Sequence, residues 1–120
     1  MTAHFNKEIP FYLRTQLIEI GLNRPISFVD EYNGIVTAHK VIITYGYAFD
    51  FLFEKGYLIS ISKDYDLANE CFSGAYDWSV DGSSTKDSDA GSYTDTWFEA
   101  ANKAIESCID LINKKSVNNE

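Results

Sequence analysis

The strongest constraint in this sequence is a long amphipathic stripe near its C-terminal end, in the segment TWFEAANKAIESCIDLI. Small and apolar residues recur there with the i, i+3, i+4, i+7 spacing that places them on one side of an α-helix. Thr96 precedes the stripe, and Glu99 follows it by three positions, which is the pattern of a capping box. The apolar side must be buried, so the helix needs another layer to pack against. The stripe consists of Trp97, Ala100, Ala101, Ala104, Ile105, Cys108, Leu111 and Ile112.

Two shorter helices are predicted in the N-terminal half from their end signals. Pro10 suits the first turn of PFYLRTQLIEIG, where its missing N–H is harmless, and Gly21 suits the left-handed residue beyond the end. Thr44 is the predicted N-cap of TYGYAFDFLFEKG and Gly56 its stop. The glycine at position 46 lowers helix propensity by roughly 1 kcal/mol relative to alanine. The positions that share a face are Leu13, Leu17 and Ile20 in the first helix and Ala48, Phe51, Leu52 and Lys55 in the second.

Four strands are predicted between the helices. ISFVDEY and IVTAHKVII flank Asn33 and Gly34, a pair that adopts the positive φ angles of a type I′ turn and so predicts a hairpin. YLISISK and CFSGAYDWSV alternate as half-buried strands do, with SKDYDLANE as a wide connection. The order α-β-β-α-β-β-α predicts an α+β sandwich, in which helices cover a small, mostly antiparallel sheet. We predict a single domain over residues 1–115 and a frayed polar tail over 116–120.

Acidic residues are concentrated in one third of the chain. The net charge is −8, and residues 64–99 account for all of it, with nine acidic residues against the single Lys86. Nucleic-acid backbones are bound through clustered lysine and arginine, so direct nucleic-acid binding is disfavoured. An acidic, aromatic-rimmed face instead suits a basic protein partner. Among the aromatic residues of this segment, Phe72, Trp78 and Trp97 are predicted to fill the core. The candidate partner-binding residues are Asp64, Asp66, Asp77, Asp81, Asp87, Asp89, Tyr93 and Asp95.

Residues 81–95, DGSSTKDSDAGSYTD, are predicted to form a long, mobile loop. Apart from Tyr93 the segment has no large apolar side chain, and its serines and glycines raise the entropy cost of fixing the backbone. Its aspartates repel one another and favour solvation. An EF-hand calcium loop that began at Asp87 would need glycine and glutamate where the chain has Ser92 and Phe98, so that match fails.

The reactive side chains form no catalytic or cofactor-binding pattern. Cys71 and Cys108 lack metal-ligand spacing, and both are predicted to be reduced and buried. His4 lies near a terminus predicted to be mobile, and His39 lies in or beside a strand, so no transition-metal site is expected. The chain has no glycine-rich phosphate loop. We therefore expect no cofactor, no metal and no enzymatic activity, although the acidic residues leave open a hydrolase with paired carboxylates.

Three segments resemble parts of small uncharacterised proteins of Bacteroides and their phages. TYGYAFDFLFEKGYLISIS resembles their helix that begins with Thr-Tyr and ends with Glu-Lys before a strand. TWFEAANKAIESCIDLI resembles their closing helix, and LIEIGLNRPI resembles their corner between a helix and a strand. The resemblance implies a phage or mobile-element setting and an α/β sandwich, and it carries no catalytic residues.

Three functions are compatible with these features. The first is a non-enzymatic accessory protein that binds a basic partner through the face at residues 64–99. The second is a virion or assembly component, for which a homo-oligomer is typical. The third is a small-molecule binder or hydrolase with a pocket under the 81–95 loop. Because the sequence shows no secretory signal and no membrane-spanning stretch, we expect a cytoplasmic protein without a membrane partner, in the host cytosol if phage-encoded.

Overall fold

The computed structural model describes residues 2–22, 27–32, 35–41, 43–82 and 88–118. The described part contains a two-stranded sheet, a three-stranded sheet and the helices that pack around the core. The elements in chain order are α1 (Thr2–Phe5), α2 (Phe11–Glu19), β1 (Ser27–Tyr32), β2 (Ile35–Val41), α3 (Tyr45–Glu54), β3 (Tyr57–Asp66), β4 (Cys71–Gly82), β5 (Ser88–Thr94) and α4 (Trp97–Asn118).

Helix α2 confirms the first predicted helix. Pro10 lies at its N-cap with φ −59° and ψ 151°, and the side chains of Leu13 and Leu17 are fully buried. Gly21 has φ +112° beyond the C-terminal end, in the region that favours glycine. Its N–H donates to the carbonyl of Ile18 at 3.1 Å, which satisfies one of the free carbonyl groups of the last turn.

Helix α3 is capped by Thr44, as predicted. The Thr44 hydroxyl accepts a hydrogen bond from the N–H of Tyr47 at 3.2 Å, which satisfies a free donor of the first turn. Ala48 and Leu52 are fully buried on the predicted face. Lys55 was assigned to the same face, but it lies at the C-cap and is exposed. The helix therefore buries a shorter stripe than its sequence indicates.

Helix α4 brings the predicted apolar stripe into the core. Thr96 Oγ1 accepts a hydrogen bond from the N–H of Glu99 at 3.0 Å, as a capping box requires. The return bond to Glu99 Oε2 comes from the N–H of Asp95 at 3.2 Å, one residue before the expected donor. The helix continues to Asn118, three residues into the segment 116–120 that was predicted as a frayed tail. Its buried residues are Trp97, Ala100, Ala101, Ala104, Ile105, Ser107, Cys108 and Ile109.

Strands β1 and β2 form the predicted antiparallel hairpin. Tyr32 pairs with Ile35 at the closed end, so two residues connect the strands. A two-residue connection is the length for which the type I′ turn is favoured. Asn33 and Gly34 themselves lie outside the described residues, so the turn type stays a prediction.

Strands β3, β4 and β5 form an antiparallel sheet in that order. Strand β3 reaches Asp66, and only residues 67–70 connect it to β4, so the predicted wide connection is wrong. Cross-strand contact explains the longer hairpin. Tyr65 pairs with Phe72, and their rings meet edge to face with centroids 5.3 Å apart, a contact that stabilises the ladder beyond the predicted strand end.

Strand β5 corrects the prediction of a mobile loop over residues 81–95. Residues 88–94 pair with β4, and residues 83–87 lie outside the described residues. Serine, aspartate and glycine have low strand propensity, but an edge strand with one exposed face accepts them. A contact with β4 explains why this segment is a strand. Gly91 pairs with Trp78, and the indole ring of Trp78 occupies the space that a side chain at Gly91 would need.

Helices α3 and α4 pack against the three-stranded sheet, so the fold is an α+β sandwich with an antiparallel sheet covered by helices, as predicted. The short helix α1 was not predicted. His4 was expected at a mobile terminus, but its ring stacks on Trp97 with centroids 4.7 Å apart and meets Phe98 edge-on at 5.2 Å. Aromatic packing therefore fixes the N-terminal segment to the start of α4.

Candidate functional site

The three-stranded sheet has one face under the helices and one face turned away from them. Directly paired residues share a face, and successive residues along a strand alternate between faces. Trp78 and Val80 are buried in the core, so Asp77, Ser79 and Asp81 point to the opposite side. We call this opposite side the open face. Its paired positions are Leu58, Ser60, Ser62, Asp77, Ser79, Asp81, Ser88 and Ala90.

The open face is polar and accessible. Asp81 is exposed and pairs with Leu58, which is 49% exposed. Asp77 is half-buried and pairs with the exposed Ser62. None of the eight paired positions is basic, so the face carries carboxylates and hydroxyl groups without a cation among its own side chains.

Asp64 and Asp66 extend the open face along β3. They follow Ser60 and Ser62 at two-residue intervals on β3, but the β3–β4 register shifts between Lys63 and Tyr65, so both carboxylates lie at the margin of the open face, beyond its regular ladder. Asp64 Oδ2 accepts a hydrogen bond from Ser73 Oγ at 2.9 Å, which holds the carboxylate beside β4. The structure therefore places four of the eight predicted site residues along the open face and its margin, namely Asp64, Asp66, Asp77 and Asp81, with Asp81 and Asp66 at opposite ends, about 26 Å apart along the strand.

Asp66 also organises the turn between β3 and β4. Its Oδ1 accepts hydrogen bonds from the N–H groups of Ala68 at 2.9 Å and Asn69 at 3.3 Å, and its Oδ2 accepts one from Asn69 Nδ2 at 2.7 Å. The hydrogen bonds from the Asn69 side chain and backbone hold the pKa of Asp66 below its usual range. The carboxylate is therefore charged at neutral pH, in a fixed orientation at the end of the open face.

Asp89 belongs to the other side of the sheet. It pairs with Val80, and its Oδ2 accepts a hydrogen bond of 2.6 Å from Ser107 Oγ on α4. The acidic residues of the segment 64–99 therefore do not share one face, because β5 turns Asp89 towards the helix. The sequence could not indicate this division, since it gave no sign of the strand that sets the orientation.

Three predicted site residues remain apart from the open-face group. Asp95 lies before α4, where its N–H takes part in the cap. Tyr93 lies in β5, but its side chain is outside the described part of the structure. Asp87 lies entirely outside it. Their part in a binding surface stays a prediction.

The aromatic residues near the acids differ in burial. Trp78 and Trp97 are in the core, as predicted. Phe72 was also predicted to be buried, but it is 62% exposed, and its ring partner Tyr65 is 46% exposed. The prediction was wrong because the β3–β4 hairpin continues past the helices, and residues 71–74 at its end are all exposed. Leu67 in the turn is 82% exposed, so the end of the hairpin is apolar on its surface.

An apolar groove borders the open face between α3 and β3. We call it the aromatic groove; its volume is about 420 Å³, within the range of pockets that hold small ligands or side chains. Gly46 permits α1 to close one end, since a Cβ there would lie 3.2 Å from Phe5 Cβ. The groove could not be predicted from the sequence without α1, which contributes Phe5 to its lining. The lining residues are Phe5, Gly46, Phe49, Asp50, Phe53, Leu58 and Ile59.

The two cysteines have opposite environments. Cys108 is fully buried on α4, and burial raises the pKa of its thiol to about 12. Cys71 is exposed at the start of β4, which corrects the prediction that both are buried. The difference arises because Cys71 lies at the end of the hairpin, beyond the helices, where neither face of the sheet is covered.

We predict that a thiol-reactive dye labels Cys71 rapidly in the native protein and Cys108 only after unfolding. Burial protects Cys108 from the dye and keeps its thiol protonated. The stability linked to this thiol is present below pH 9.0 and is lost as the pH rises towards about 12. Intact-mass spectrometry with and without denaturant counts the labels, with Cys71→Ser as the control that shows no fast label. Two fast labels in the native state would contradict the buried position of Cys108.

Further properties of the described residues bear on the site. Among them, no group of three or more His, Cys, Asp or Glu side chains is arranged to hold a metal ion. In the same part of the chain, no helix combines the length and the apolar character needed to cross a bilayer.

Comparisons with protein-family models, with curated proteins and with solved structures found no match to this chain.

Proposed function

We propose that this chain is a non-enzymatic binding protein that docks a basic protein partner on the open face of its three-stranded sheet. The observation that supports the proposal is the position of Asp77 and Asp81 on that face, with Asp64 and Asp66 along its margin on β3. Two of them lie at neighbouring same-face positions of β3, which are about 7 Å apart along a strand. Carboxylates at such distances reinforce one another's potential at physiological salt.

A binding role fits the chemistry of this face better than an acid–base role. A general acid at neutral pH needs a raised carboxyl pKa, whereas the hydrogen bonds from Asn69 lower the pKa of Asp66. The alternative function needs a pocket under a loop at residues 81–95. Residues 88–94 of that segment form the strand β5. The aromatic groove lies instead beside β3, at the opposite edge of the sheet from β5.

The setting of the proposed interaction follows from the sequence. The resemblance to small proteins of Bacteroides and their phages favours a phage or mobile-element accessory protein that acts in the host cytosol. A virion or assembly component is the alternative, and it would use the same surfaces to contact further copies of the chain. Light scattering separates the two, because a stable homo-oligomer favours the assembly role.

The proposal predicts that the position of the acidic residues matters and not only the net charge. Changing Asp64, Asp66, Asp77 and Asp81 to asparagine should weaken binding of an oligolysine of about ten residues by about tenfold at low salt. The amide retains an acceptor oxygen for the turn at Asp66. Fluorescence anisotropy in low salt and in about 0.3 M salt measures the affinity and its screening.

A matched variant removes the same charge elsewhere. The exposed Glu8, Glu19, Glu54 and Asp110, which all lie outside residues 64–99, are changed to their amides, and affinity should then fall by no more than about twofold. Equal weakening in both variants would mean that the protein attracts cations through its net charge alone, and the open face would not be the site. Affinity that is unaffected by salt would also contradict the proposal.

A further inference from the structure

We infer that the basic partner binds as an extended segment that adds to the outer edge of β3 and places an apolar side chain in the aromatic groove. This inference rests on the proposed function and specifies the partner's conformation and side-chain pattern. It combines three features of the same strand, namely its edge position, the acidic residues on one of its sides and the groove on the other.

The edge position comes from the order of the sheet. Strand β3 pairs with β4 on one side, and within the described residues no strand pairs with its other side. An edge strand presents backbone donors and acceptors to which an extended peptide can add. Strand β3 is ten residues long, so it can pair with a whole recognition segment.

The two sides of β3 select different side chains. A strand added beside β3 continues both faces of the sheet, so its alternate side chains fall on the open face and on the helix side. On the open face they would lie next to Asp64 and Asp66, which favours lysine or arginine. On the helix side they would reach the groove lined by Phe49, Phe53 and Ile59, which favours leucine or an aromatic residue.

Charge also surrounds the groove itself. Asp50 lines it from α3, and Asp81 pairs with Leu58 at its border with the open face. The apolar side chain would therefore enter beside the Asp50 carboxylate, with Asp81 across β3, so basic neighbours in the segment are favoured. From Leu58 to Asp64 the strand rises by about 20 Å, which a segment of about eight residues can follow. The partner segment should therefore alternate basic and apolar residues.

The test compares peptides of about eight residues that contain equal numbers of lysine and leucine. Two of them alternate lysine and leucine, and in the third, the block peptide, all lysines precede all leucines. One alternating peptide carries backbone N-methyl groups on its lysines and the other on its leucines, which blocks one edge against self-assembly and leaves the opposite edge able to pair. We expect one of these two alternating peptides to bind about tenfold more tightly than the block peptide, and methylation of both edges to abolish that advantage.

Variants of the protein locate the contact. Phe53→Ser, at a position 62% exposed in the groove, should remove the preference for the alternating peptide. The matched control is Phe11→Ser, at a position 71% exposed on α2 and outside the groove, which should preserve it. Chemical shifts of the β3 amides report the site directly and should move further at saturation with the alternating peptide than with the block peptide.

The outcomes separate this inference from the proposed function. Equal, salt-sensitive affinity for the alternating and block peptides would overturn the strand addition and leave the acidic docking face in place. Binding that survives methylation of both edges would also overturn it. If none of the peptides binds at low salt, both the inference and the proposed function fail. Self-association of the Asp64→Asn, Asp66→Asn variant without peptide binding would mean that these carboxylates only protect the edge.

Discussion

Replacing Gly91 with alanine is expected to destabilise the protein by about 3 kcal/mol, the upper part of the range for overpacked cores. A Cβ at this position would lie 2.4 Å from Trp78 Nε1 and 2.6 Å from Trp78 Cε2. Trp78 is 9% exposed in the central strand, so its ring cannot move without disturbing the core. Urea unfolding monitored by tryptophan fluorescence should show a lower midpoint with an unchanged slope.

A second substitution tests the cause of this loss. Trp78→Phe removes the indole nitrogen and reduces the ring, so Gly91→Ala should be much less destabilising in that background. Ser92→Ala, an exposed position of the same strand, should change the free energy of unfolding by less than about 0.5 kcal/mol. If Gly91→Ala is as mild as Ser92→Ala in the wild-type background, β5 does not lie against Trp78 as described.

Replacing Asp89 with alanine is expected to lower the free energy of unfolding by about 2 kcal/mol, the cost typical of losing a hydrogen bond to a charged group. Asp89 Oδ2 accepts the 2.6 Å hydrogen bond from Ser107 Oγ, and Asp89 Oδ1 accepts one of 2.9 Å from the N–H of Ala90. Ser107 is 6% exposed, so without Asp89 its hydroxyl loses its partner away from solvent. Chemical denaturation of Asp89→Ala, Ser107→Ala and the double variant measures the coupling.

The comparison with Asp81 gives this prediction a functional control. Both aspartates are exposed, but Asp89 holds the buried hydroxyl of Ser107, whereas Asp81 lies on the open face away from α4. Asp81→Ala should therefore leave stability within about 0.5 kcal/mol of the wild type. The same change should weaken oligolysine binding, whereas Asp89→Asn should leave that binding nearly unchanged once the protein is folded. Additive effects of Asp89→Ala and Ser107→Ala would show that the two side chains do not interact. A stability loss from Asp81→Ala equal to that from Asp89→Ala would contradict their assignment to different faces.

The helices could be predicted from the sequence because their signals are local. The Thr44 and Thr96 caps act on N–H groups three residues away, and an apolar stripe with a 3.6-residue period requires no knowledge of distant partners. The β1–β2 hairpin was predictable for the same reason, since the turn signal and both strands are contiguous in the chain. Each of these elements is specified within a few residues of itself.

The sheet and the candidate site depended on contacts that are distant in sequence. The segment 88–94 has the composition of a loop, and it is a strand because Gly91 accommodates the Trp78 ring and the ladder to β4 supplies its hydrogen bonds. Short α1 was missed because its anchor is the ring of Trp97, at the far end of the chain. The aromatic groove, which requires α1, was missed with it.

The sequence alone determined that this chain is acidic over residues 64–99, that it contains these amphipathic helices and hairpin strands, and that its class is α+β. Only the tertiary structure decided which carboxylates lie on the same face of the sheet. A strand directs successive side chains to opposite faces, and whether a face is covered depends on the elements that pack there. Asp81 and Asp89 are equally acidic in the sequence, but they lie on opposite sides of one sheet because the β4–β5 register pairs Asp89 with Val80 beneath α4.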